Sequence, residues 1–215
     1  RTHIKALVID NTVYSFGGIN LYGKEVLSNI DYMFRGEDER LADDMIHECS
    51  QITKADGKNY AYRSHKFSYG ENQVLTDGGF QGDSIIYRWS VELARQAESI
   101  LLVSQYCPTG KLSRILKSKN AKLYFNRPEL AGHLNRLVIA VGSFFSGHKT
   151  LYKRDSYLHA KFIIYTMPDG KKVAVTGSHN FVYGGVLLGT REIALETSDP
   201  RVIKQLETFF KKHVK

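Results

Sequence analysis

One pattern occurs twice, and it constrains this chain more than any other feature. His3-Ile-Lys5, then Asp10, then Gly17-Gly18-Ile19-Asn20, is echoed by His159-Ala-Lys161 and Gly177-Ser178-His179-Asn180. Lys5 and Lys161 lie 156 positions apart and Asn20 and Asn180 lie 160 apart, so the second copy carries four extra residues. A fold that accommodates both copies is built from two related units. In an extended strand, side chains two apart point the same way, so each His-x-Lys offers an imidazole and an ammonium on one face. Residues 6–9 continue the first strand, Asp10-Asn11 is a turn, and residues 12–16 return as a hairpin partner. The second copy repeats this with residues 162–165, the turn Met167-Pro168-Asp169-Gly170, and residues 173–176. The extra residues fall in that turn, where insertion is tolerated best.

After each hairpin the Gly-[Gly/Ser] pair admits close approach of a ligand to the backbone, and the following Asn supplies an amide donor near the same spot. Two such half-sites face to face offer two imidazoles, two lysines and two asparagines around one tetrahedral anion. Phosphoryl transfer needs that set. One histidine attacks phosphorus and becomes a phosphohistidine; the other protonates the leaving oxygen and later deprotonates the incoming acceptor. Lys, Asn and Ser178 hold the charge on the equatorial oxygens. The arrangement calls for no metal and no cofactor, and the spacing alone allows either histidine to be the nucleophile.

On these residues the chain resembles the phospholipase D superfamily, whose signature is a duplicated His-x-Lys-x4-Asp-x6-Gly-[Gly/Ser]-x-Asn. His3, Lys5, Asp10, Gly17, Gly18 and Asn20 match throughout; His159, Lys161, Gly177, Ser178 and Asn180 match, with Thr166 in the Asp position. The likeness spans nearly the whole chain. Its flavour is that of bacterial cardiolipin synthase-like proteins, judging by Leu75-Thr76-Asp77-Gly78 before a helix and by Asp31 after the first motif. The resemblance implies an α/β fold of two repeats, each a mixed sheet flanked by helices, related by pseudo-twofold symmetry with one site at the seam. It implies His3 as nucleophile, His159 as general acid/base, and Lys5, Lys161, Asn20 and Asn180 as catalytic partners. Gly18 and Ser178 would bind substrate, and Asp10 would support the motif structurally. It also implies a carboxylate about thirty positions after each motif histidine, hydrogen-bonded to an imidazole and fixing its tautomer. Asp31, 28 after His3, and Glu192, 33 after His159, fill that place.

The net charge of +8 and pI near 9.3 suit an anionic partner, phospholipid surface or nucleic acid, without choosing between them. Cys49 and Cys107 make neither a disulfide framework nor a metal pairing and are expected as small buried residues. The longest apolar run, residues 137–145, contains Gly142 and Ser143 and is too short to span a bilayer. Residues 157–215 read as three strands and a helix opening at Asp199-Pro200, and residues 2–54 repeat that order, with a helix over 37–53. Residues 84–156 add a helix, a strand, a short helix near Leu112, a strand, a helix from Pro128 and a strand near Leu151. The first copy has no such front half. The chain is therefore divided into 1–56, the C-terminal part of a truncated first repeat; 57–73, a linker holding Tyr60, Tyr62 and Tyr69 among basic residues; and 74–215, a complete second repeat. The missing front half is also where membrane anchors could lie, and the expected compartment is the cytoplasm or the cytoplasmic face of a membrane.

Three functions follow in order: phospholipid hydrolysis or phosphatidyl transfer, cleavage of nucleic acid by the same chemistry, and a catalytically silent binding scaffold.

Overall fold

The computed structural model describes residues 1–23, 25–57 and 61–215. The first unit is a three-stranded antiparallel sheet of β1 (Leu7–Ile9), β2 (Thr12–Ser15) and β3 (Phe34–Glu37), with a short helix α1 (Glu25–Ser28) and a long one, α2 (Glu39–Gly57). Helix α2 begins where Asp38 caps it, its carboxylate accepting from Leu41 N at 2.7 Å.

The second unit is a seven-stranded mixed sheet. Its strands are β4 (His65–Tyr69), β5 (Asn72–Gly78), β6 (Ser99–Val103), β7 (Asn120–Tyr124), β8 (Phe162–Thr166), β9 (Lys172–Gly177) and β10 (Arg191–Thr197), in the order β4-β5-β10-β9-β8-β6-β7. Only β6 and β7 pair in parallel. Its helices are α3 (Ile85–Gln96), α4 (Gly110–Lys117), α5 (His133–Ser146), α6 (Tyr183–Leu187) and α7 (Pro200–Phe209). Ser84 caps α3 through Tyr87 N at 3.0 Å, and Asp199 caps α7 through Arg201 N at 2.8 Å.

Alternation along β8 divides the interior. Ile163 and Tyr165 join a core with Leu93 and Leu112 beneath α3 and α4, while Phe162 and Ile164 face Ile203 and Leu206 of α7. A third cluster joins the two units: Val13, Phe16, Leu41 and Met45 pack on Val74 of β5 and Ile193 and Leu195 of β10. Each fully buried aliphatic side chain there contributes roughly 2 kcal/mol. That apolar seam holds the two motif copies in register.

Several expectations change. The 57–73 stretch supplies β4 and the start of β5 as an antiparallel hairpin, so it is not simply a connection; Tyr60 lies outside the described residues. No strand forms at Leu151, whose N–H makes a single bond to Leu123 O at 2.8 Å while the Thr150 hydroxyl takes up Phe125. Pro128 opens only a 3-10 turn, and α5 starts after Gly132. Cys49 is exposed, because it falls on the outer side of α2; Cys107 is buried, 3.0 Å from the Ser146 hydroxyl. His65 pairs at 2.7 Å with buried Glu48. Among the described residues no helix is long and apolar enough to cross a membrane.

Candidate active site

The two His-x-Lys triplets sit immediately ahead of β1 and β8 rather than inside them, and each is docked on the other unit. Thr2 forms a parallel bridge with Arg191, and Ile30 forms one with Leu158. These are the residues just before His3, Glu192, Asp31 and His159. The backbone repeats the relation, with His3 N donating to Arg191 O and His159 N to Ile30 O, both at 2.9 Å. Each histidine is thereby brought beside the carboxylate of the opposite copy.

The side chains complete a crossed arrangement. His3 Nδ1 lies 3.0 Å from both Glu192 oxygens, and His159 Nδ1 lies 2.7 Å from Asp31 Oδ2. With Nδ1 of each ring committed to a carboxylate, Nε2 is the atom left for chemistry. Lys5 Nζ donates to His3 O at 2.7 Å, and Lys161 Nζ donates to His159 O.

The glycines explain how the carboxylates come so close. A Cβ on Gly17 would stand 1.9 Å from Tyr32 O, and one on Gly177 would stand 2.1 Å from Ile193 O. Tyr32 and Ile193 directly follow Asp31 and Glu192, so these two glycines let each carboxylate-bearing segment press against its motif. The next position serves the carboxylate itself: Gly18 N donates to Asp31 Oδ1 at 3.1 Å, and the Ser178 hydroxyl donates to Glu192 Oε2. Ser178 is fully buried. Gly18 and Ser178 thus hold the two carboxylates. Asp10 takes a φ of +50° in the exposed β1–β2 turn, and Thr166 ends β8 opposite Lys172.

Asn20 Nδ2 donates to Glu25 Oε2 at 2.5 Å. Asn180 is buried, and its Oδ1 has no partner among the described residues. Glu25 escaped the sequence reading because the position matching it in the second copy is Gly185. Tyr157 was missed as well: its ring stacks on His159 with centroids 6.5 Å apart, and its hydroxyl accepts from Gln105 at 2.9 Å. An aromatic two residues before a motif histidine was the available signal.

Burial shapes the electrostatics. It pushes the ammonium groups of Lys5 and Lys161 down to about 8, opposed in both by Asp31 and Glu192. Burial also lowers His159, helped by Lys161 and opposed by its bond to Asp31. For Glu192 burial works upward, yet the bonds from His3 and Ser178 outweigh it and hold the carboxyl below its usual range. His179 is driven down to about 4 by burial; its Nδ1 accepts from Phe181 N at 2.8 Å, so it is a neutral structural residue. Asp77 is pushed up to about 7 by burial and anchors the start of α3 through Ser84 and Ile86 N. No group of three or more metal-ligating side chains occurs among the described residues.

No protein-family model matches the sequence, and no curated protein matches it significantly. Solved structures do. Phosphatidylserine synthase of Haemophilus influenzae Rd KW20 superposes on 100% of this chain with a TM-score of 0.70 at 15% identity. The chain spans 62% of that synthase's length. Nuc, a phospholipase D family member of Salmonella typhimurium, matches over 66% of this chain and 94% of its own, with a TM-score of 0.45 at 16% identity. NucT from Helicobacter pylori covers the same shares with a TM-score of 0.44 at 13% identity. The chain thus shares the mixed α/β fold of that synthase over its whole length.

Proposed function

We propose that this fold carries a phosphodiester-transfer site that acts on phospholipid through a phosphohistidine. The observation that carries the reading is the crossed pairing of His3 with Glu192 and His159 with Asp31. Neutral His3, its Nδ1–H held by Glu192, attacks phosphorus through Nε2 as the bond to the leaving oxygen breaks. Protonated His159 gives its proton to that oxygen. The same ring then takes a proton from water or an alcohol, whose oxygen attacks phosphorus and releases His3. Lys5, Lys161 and the Asn20 and Asn180 amides stabilise the equatorial oxygens. Phosphatidylserine synthase is the neighbour whose fold likeness is strongest in TM-score among those described, which supports a lipid substrate. The second reading, a nuclease, draws on the net charge of +8.

The test is turnover in EDTA of phosphatidylglycerol vesicles beside single-stranded DNA, with products resolved by mass. Phosphatidic acid or cardiolipin, absent with His3→Ala and with His159→Ala, is the expected result and names the acceptor. Quenching in alkaline detergent, where a phosphohistidine bond survives, should trap the phosphatidyl group on His3; an adduct on His159 would reverse the two roles. Normal turnover by His159→Ala would sink the two-histidine mechanism. Cleaved DNA beside intact lipid would move the protein to the nuclease reading, and silence on both substrates would revive the binding scaffold.

A further inference from the structure

Helix α5 is inverted relative to a surface helix of ordinary amphipathicity. Leu134, Leu137, Val138, Val141, Phe144 and Phe145 recur at helical spacing and are between 44% and 82% exposed. The opposite side does the packing: Ile139 and Ser146 are buried, and Asn135 accepts from the Tyr106 hydroxyl at 2.8 Å. The apolar stripe therefore faces outward along a helix of 14 residues.

Charge says what covers it. From Leu130 to Arg154 the sequence contains no Asp or Glu, while Arg136, Lys149, Lys153 and Arg154 occur there. Lys117 joins them at the C-terminal end of the helix, its Nζ 3.4 Å from where a Cβ on Gly147 would stand. A second copy seated on this face would bring cations toward cations with no carboxylate in the stretch to answer them. A bilayer with anionic headgroups satisfies both features, taking the stripe into its acyl boundary and the cations at its surface.

The packed side of α5, opposite the stripe, is tied to the site by a chain of hydrogen bonds. Asn135 holds Tyr106, whose hydroxyl accepts from Gln105; Gln105 in turn donates to Tyr157, which stacks on His159. Across the site, α1 carries Leu27, 91% exposed, and is fixed by the Glu25–Asn20 bond. We infer that the outer face of α5 is a docking surface for an anionic phospholipid bilayer, seating the mouth of the site at headgroup level. This rests on the lipid reading of the site and names the physical form in which the substrate is met.

The test uses vesicles of phosphatidylcholine and phosphatidylglycerol in equal parts, with co-sedimentation read separately from turnover. The triple variant Leu137→Ser, Phe144→Ser, Phe145→Ser changes only exposed side chains, and its unfolding midpoint verifies the fold. It should lose vesicle binding by ~10-fold or more, while turnover of monomeric dihexanoyl-phosphatidylglycerol stays within about twofold. In a second variant, Phe144→Trp, vesicles should shift the emission to the blue; no shift would overturn the proposal. So would undiminished vesicle binding by the triple variant. A concentration-dependent dimer that the triple variant abolishes, with vesicle binding intact, would assign the face to a second copy. If the parent protein binds vesicles through α5 but turns over no lipid, docking stands and the proposed activity falls.

Discussion

Lys161 is fully buried, and that single placement sets both a stability penalty and a pH limit. Its ammonium is held at about 8, against 10.5 when unfolded, so between those values the unfolded chain binds more protons and stability rises with pH. Below about 8 the whole penalty applies, roughly 3 kcal/mol for this one group. Lys161→Met should therefore stabilise the protein at neutral pH by on the order of 1–2 kcal/mol, after loss of the bond to His159 O, and should abolish turnover. A urea titration at neutral and alkaline pH checks this: the advantage of the variant must shrink as pH climbs toward 10.5. The same burial predicts that kcat/KM falls as pH rises through about 8, where Lys5 and Lys161 lose charge. A profile flat to pH 10 would disprove that role for the lysines. The motif residues themselves were legible, because duplication singles them out. Glu25 was not, since its counterpart is glycine, and neither were the shifted lysines, since burial is not written in local spacing.

Elements are positioned here by backbone contact at two glycines. Gly177→Ala would push a Cβ to within 2.1 Å of Ile193 O, displacing β10 and Glu192 with it. We expect a loss of about 3 kcal/mol or more and a fall in kcat beyond what the remaining folded fraction explains. Gly184→Ala in α6 meets nothing within 4 Å and should be neutral or stabilising by about 0.5 kcal/mol. Matched unfolding curves for the pair decide whether close approach or mere helix propensity is at issue. Helix ends were readable where chemistry marks them: Asp199-Pro200 starts α7 as expected, after the third strand of its unit, β10. β4 was not, because His65-Lys66-Phe67-Ser68-Tyr69 is an edge strand whose mixed polarity looks like loop. Leu151 misled in the opposite sense: its apolar side chain suggested a strand, but Thr150 ties the segment to Phe125.

At the scale of the molecule, the seam of Val13, Phe16, Leu41 and Met45 against Val74, Ile193 and Leu195 couples the two units. Loss of turnover in urea should coincide with the change in Trp89 fluorescence, which reports the larger unit. Inactivation well ahead of the fluorescence change would mean that the small sheet opens by itself. The duplicated motif could be read from the sequence, yet the crossing of its partners could not, because His3 and Glu192 are 189 positions apart and His159 and Asp31 are 128 apart. The crossing has a consequence for how such a site tolerates exchange. Each unit owns a histidine and lends away its carboxylate, so neither unit alone has a complete acid–base pair. Two molecules that traded their first units would regenerate two intact sites, whereas one molecule whose units parted would keep none; the chemistry belongs to the contact between the units and is indifferent to which polypeptide supplies each side.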